Sequence, residues 1–259
     1  MNTTPAPANG FHLERPPIIE VILDLDCELP PAFDLGAKEK EIRDALRNGY
    51  PKMRMQLLQE HQFSHAEGKP AEVAVQRNLQ AFQFFSADDK QIVQFRANGF
   101  SFNRLAPYSH LDDYLPEIER VWQIFVSLAM PVTLRKIGLR TINRLLVPMA
   151  DGKVTLEDYL RIRPRLPDEK ALTFTGFLNH HRAAEPATGN HVNTVLTTQA
   201  VEGSNLPLLL DIDTFRPVKV APPPWPEIVA ILASLRSLKN RVFWNTLTEE
   251  CLSLFSQPA

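Results

Sequence analysis

The sequence predicts an α+β fold: an antiparallel sheet with helices packed on one face, in two halves that repeat the order strand, helix, strands, helix. Three observations predict it. Residues 132–148, VTLRKIGLRTINRLLVP, are rich in Val, Ile, Leu and Thr and end at a proline, which suits a long strand near the middle of a sheet. Helical stripes alternate with groups of two or more strands, which excludes a simple parallel βαβ sheet. Finally, Asn103-Arg104-Leu105 and Asn143-Arg144-Leu145 each close a strand of similar character, one in each half.

Taken in order, residues 1–14 are rich in Pro, Ala, Asn and Thr and read as a disordered tail. Pro16-Pro17 then enters a strand at 18–25, with Asp24 and Asp26 on one face and Leu25 and Cys27 on the other. A helix follows over 34–48, capped by Asp34, with Ile42, Ala45 and Leu46 inward; Gly49, Tyr50 and Pro51 stop it. Residues 60–71 read as a polar loop. Strands fill 72–105, the run 73–85 being long enough to need a bulge. Asp88-Asp89 and Asn98-Gly99 supply the turns. The second turn sets Phe95 against Phe102 and Arg104 against Val93. Phe82, Phe84, Phe95, Phe100 and Phe102 read as sheet core. Ser109 with Asp112 suggests a capping box for a helix whose stripe is Leu115, Ile118, Val121, Trp122, Phe125 and Ala129, with Pro116 marking a kink or the start.

The central strand follows Met130-Pro131. Its odd positions Ile137, Leu139, Thr141, Leu145 and Val147 give a mostly apolar face interrupted by Arg135 and Asn143, and its even positions Lys136, Arg140 and Arg144 a basic face interrupted by Gly138 and Ile142. Thr155 caps a short helix, residues 161–170 read as loop, and strands are expected at 171–182, 192–201 and 207–213. After Pro222-Pro223-Pro224 the longest helix carries the stripe Ile228, Ile231, Leu232, Leu235, Leu238, Val242 and Phe243. Thr246 with Glu249 suggests a capping box for a last short helix. No Gly/Ser linker separates 15–130 from 131–256, so the two halves are expected to share one sheet or core.

The totals exclude several classes. A chain of 259 residues with 44% apolar and 22% charged residues is ordinary for a globular protein. The formal charge of −2 gives no strong nucleic-acid signal. No run of 18 apolar residues predicts a membrane span, and the N-terminus lacks a secretory pattern, so a cytoplasmic location is expected. Cys27 and Cys251 show no metal or redox spacing and read as buried thiols. There is no Gly-x-Ser-x-Gly elbow, Walker loop, dinucleotide fingerprint or zinc spacing.

What remains is charge on strands. Asp24/Asp26 and Asp211/Asp213 each put two carboxylates on one face, where a pair can share a hard cation such as magnesium. Carboxylates in apolar strands need partners, and Lys136, Arg140 and Arg144 could supply them, making an ion network without chemistry. Those cations with Arg104 are also the candidate anion-binding set. Arg140 and Arg144 lie roughly 13 Å apart along a strand, too far to clamp one phosphate without Lys136 or Arg104. His181, His191 and Glu185 could meet across a turn as a three-ligand site.

Five blocks in order carry a resemblance: PIIEV (17–21), YP (50–51), VQFRANGFSFNRLAPY (93–108), RKIGLRTINRL (135–145) and LLLDIDTF (208–215). Together they resemble a sporadically distributed family of uncharacterised prokaryotic proteins, over residues 15–255. The resemblance brings no activity, cofactor or catalytic residue. Its scattered occurrence implies a mobile or defence-linked accessory role by association alone. The leading expectation is an interaction or ligand-binding module or a subunit of a complex. Its partner would be protein, as homo-oligomer or hetero-complex, or a small anionic ligand, with no cofactor. The alternative is a metal-dependent enzyme acting on a phosphate-containing substrate or nucleotide through the four aspartates.

Overall fold

The computed structural model describes residues 13–64, 72–162 and 175–256, and side chains outside 60–64 and 72–74. The first half runs β1 (Ile18–Glu28), α1 (Glu39–Leu46), β2 (Lys52–Ser64), β3 (Glu72–Phe85), β4 (Gln91–Arg96), β5 (Gly99–Leu105) and α2 (Leu115–Ala129). The second runs β6 (Thr133–Pro148), α3 (Leu156–Tyr159), β7 (Leu178–Glu185), β8 (Asn190–Thr198), β9 (Asn205–Val220), α4 (Trp225–Thr246) and α5 (Glu249–Ser253). The nine described strands form one sheet in the order β2-β3-β4-β5-β1-β6-β9-β8-β7, with every neighbour antiparallel. In each half the first strand lies beside the last and the others spread outward. β1 and β6 therefore meet at the centre as the seam between the halves.

The helices pack on one face. Period-two alternation turns Leu23, Leu25, Ile137, Leu139, Leu208 and Leu210 toward them, each no more than 2% exposed. One core cluster joins β1, β3, β4, β5, α1 and α2 to the start of α4. The other lies under the end of α4 and α5, against β8, β9 and the end of β6. The five phenylalanines expected in the sheet core are all there, each at most 2% exposed. Phe84, Phe95 and Phe125 form an edge-to-face chain with centroid separations of 6.3 and 5.3 Å. Burying each ring contributes roughly 1.5–3 kcal/mol.

Several local expectations shift for identifiable reasons. The β4–β5 turn is Ala97-Asn98, so Phe95 faces Phe100 and Arg104 faces Gln91. Gly99 belongs to the ladder, opposite Asp26, with φ at +146°, and a Cβ there would overlap the Leu25 carbonyl oxygen. Arg135 falls at a register shift in β6, which brings Leu134 into the core beside the odd positions. The bulge expected in 73–85 falls at Gln80, between the pairs Gln56–Ala81 and Leu57–Leu79.

Asp34 caps a short 3₁₀ turn ahead of α1, accepting from the Gly36 and Ala37 amides, and Ala45 is exposed. The box before α2 is one residue later than expected, with Asp113 accepting from Ser109 and from the His110 amide; Pro116 marks the start of that helix. Thr248, two residues after Thr246, caps α5. Residues 60–64 continue β2 where a loop is expected. Residues 1–12, 65–71 and 163–174 lie outside the described residues, and with them most of the expected tail and of both expected loops. No described helix is long and apolar enough to cross a membrane.

Candidate functional site

Alternation sends the other half of each central strand to the face without helices, and both acidic pairs are there. β6 runs between them: β1 carries Asp24 and Asp26, β9 carries Asp211 and Asp213, and the basic positions of β6 lie in the gap. Two strand spacings put β1 and β9 roughly 10 Å apart, and the pairs are further offset along β6, Asp24 lying opposite Gly138 and Asp211 opposite Ile142. The three even-position cations of β6 are each engaged. Lys136 reaches Asp24 at 2.9 Å, Arg140 grips Asp211 with both Nε (2.8 Å) and Nη2, and Arg144 pairs with Glu202. Arg96 of β4 pairs with Asp24 and stands 3.9 Å from Asp26.

The protonation equilibria follow. Burial alone would lower the Lys136 ammonium, but the charge and hydrogen bond of Asp24, with Asp26 and Asp213, outweigh it and hold it above its ordinary value. Asp213 has only a 3.4 Å hydrogen bond from Asn193, and burial raises its carboxyl above the ordinary range. Among the described residues, no three His, Cys, Asp or Glu side chains come close enough to hold a metal ion.

Arg104 does not join this set. It follows Phe100 and Phe102 on β5 and so shares their face, under the helices. Its guanidinium lies 5.2 Å from the Tyr114 ring centre and donates to the Pro107 carbonyl. The histidine proposal separates as well. His191 stacks on Phe215 at 5.2 Å on the open face, while His181, opposite buried Thr194, lies on the other side, and Glu185 pairs with Arg241. Cys27 and Cys251 are buried free thiols in different clusters, each pushed up to about 12, chiefly by burial.

The helix-covered side holds a feature that strand patterns do not announce. A half-enclosed cavity of about 150 Å³ lies where the two core clusters meet. Its walls come from three places: residues 13–18 leading into β1, residues 108–111 between β5 and α2, and residues 236–244 of α4; Asn143 of β6 also lines it. Leu13, Ile18, Leu111, Phe243 and Trp244 give it apolar wall, and Ser109, His110, Arg236, Lys239 and Asn240 give it about as much polar wall. Arg236 is neutralised, its Nη1 lying 2.9 Å from both oxygens of Asp112. Lys239 has no hydrogen-bond or ion-pair partner among the described residues. Part of its surface remains accessible, yet protein surrounds it densely. Desolvation, with the like charge of Arg236, brings its ammonium down to about 8. Among the described residues, no carboxylate lines the cavity.

No protein-family model matches this chain, and no curated protein does. The site therefore stands on its own chemistry.

Proposed function

We propose that this protein is a ligand-binding module whose small-molecule site is the cavity at the seam of its two halves. The observation that carries the reading is the wall composition. Segments far apart in sequence converge on a chamber whose wall is apolar and polar in about equal parts, and one of its polar groups is a lysine without a partner among the described residues. Leaving such a group unpaired costs stability, and a ligand that engages it recovers that cost on binding. The open face supports the catalytic alternative less well, because Asp24 and Asp211 already hold cations of this chain.

Trp244 is a built-in reporter for the test. A fragment library would be screened by thermal shift and tryptophan emission. Compounds that enter the cavity should raise the melting temperature, perturb the emission and shield Lys239 from acylation by an amine-reactive ester. Asn240→Trp, which adds bulk at an exposed lining position, should abolish these effects without lowering the melting temperature of the free protein. A library with no hits, or hits that survive Asn240→Trp unchanged, would overturn the reading.

A further inference from the structure

We infer that the cavity takes a small organic anion: a carboxylate on an apolar body about the size of one six-membered ring, with the Lys239 ammonium as its counter-charge. This rests on the cavity being the ligand site and goes beyond it by naming the ligand's chemistry.

Three features carry the inference. The first is charge. Among the described residues, the two formal cations of the lining are Arg236 and Lys239, one helical turn apart on α4, and only Arg236 is offset by a carboxylate. A ligand carboxylate would meet in Lys239 a charge that the described residues leave unmatched, in surroundings where water screens it little. The second is size. A cavity of about 150 Å³ is large enough for benzene, and this one, walled by apolar and polar groups in about equal parts, has about that volume with one side open for a substituent. The third is shape. Phe243 and Trp244 from the helix and Tyr108 from the opposite segment supply aromatic surface for a planar body. Inorganic phosphate or sulfate would meet the charge but leave the apolar half of the wall unfilled.

The pH behaviour follows from the groups that face Lys239. On its own helix that group is Arg236. From the opposite segment they are His110 and Tyr108, and burial, its largest influence, raises the phenol so that it stays neutral. Neither the lining residues of 13–18 nor Asn143 of β6 titrates. Lys239 is therefore the group whose charge changes near pH 8. Binding an anion should draw a proton onto it, and affinity should fall as pH rises beyond that value.

The test uses the full chain and three probes: benzoate, its neutral analogue benzamide, and sulfate at matched ionic strength, measured by calorimetry from pH 7 to pH 9.5. Benzoate is expected to bind at least tenfold more tightly than benzamide at pH 7 and to lose about tenfold by pH 9.5. The preference should vanish in Lys239→Met, persist in Lys239→Arg, and keep its pH slope in His110→Gln. Sulfate should compete poorly. Equal affinity for benzoate and benzamide would overturn the anion assignment while leaving the cavity as a ligand site. A slope that disappears with His110→Gln would overturn the role of Lys239. Sulfate competing as well as benzoate would overturn the apolar body. If Lys239→Met fails to fold, Lys239→Gln serves in its place.

Discussion

Lys136 and Lys239 are the same side chain under opposite terms. Lys136, on the open face, shares its surroundings with Asp24, Asp26 and Asp213, and their charge overcomes its desolvation. Lys239, on the covered face, is surrounded by protein and answered by no acid among the described residues, so desolvation prevails and its ammonium drops to about 8. The sheet explains the difference. Antiparallel register places cationic β6 between two acidic strands, so compensation on the open face is built into the topology. The cavity is assembled from three remote segments, and no register supplies Lys239 with a partner. One region is balanced within the chain; the other is open to balance from outside.

Removing a shared acid should give the largest effect. Asp24→Ala leaves Arg96 and Lys136 half-buried with one carboxylate fewer, and should cost about 3 kcal/mol in chemical denaturation; a cost under 1 kcal/mol would mean that water already balances the open face. Lys239→Met should go the other way, stabilising by about 1–2 kcal/mol at pH 7. The sign follows from the depressed ammonium. Between about 8 and the ordinary 10.5 the unfolded chain holds the proton that the folded chain has lost, so wild-type stability rises with pH across that window. The advantage of the variant should therefore be full below pH 8 and fade toward pH 10.5; a constant advantage would mean that it comes from packing.

A pair of isosteric changes sharpens the open-face side of the comparison. Asp211→Asn weakens the two-pronged grip of Arg140 and should cost roughly 1–2 kcal/mol. Asp213→Asn removes a charge that burial disfavours and should be neutral or mildly stabilising at pH 7. Equal losses from both would show that the two aspartates act as one unit. The smallest effect belongs to the rim. Glu202 is 57% exposed, and Arg144→Ala should change stability by less than about 0.5 kcal/mol, with any loss disappearing in 1 M salt.

Much of this fold is legible in the sequence because it rests on period. Strands β1 and β9, and β6 beyond its register shift at Arg135, alternate between faces, and α2 and α4 carry stripes at three- and four-residue steps, so the layer and the sidedness of the aspartates follow from spacing alone. β2 is harder: Met53, Met55, Leu57 and Leu58 break alternation at the register shift, and the last three are exposed. The side taken by Arg104 depends on the adjoining turn, and Asn98-Gly99 favours the wrong register until the glycine is seen against the β1 backbone. Arg96 as partner of Asp24 is a cross-strand fact that no single segment states. The cavity is the least legible feature. Its only local trace is Arg236, Lys239 and Asn240 flanking the apolar stripe of α4, and what makes Lys239 distinctive is the absence of an acid in segments more than a hundred residues away in sequence.

The placement of first strand beside last also has a consequence for the nascent chain. Leu23 of β1 is paired on one side with Phe102 and on the other with Leu139, and Leu145 of β6 is paired with Leu208. At a translation rate of roughly 5–20 residues per second, the apolar side of β1 leaves the ribosome several seconds before either partner exists. The second half repeats the delay, since β6 must wait for β9. Truncated products ending within either meander would present a long unpaired central strand, making them natural clients for holding chaperones and early targets for proteolysis.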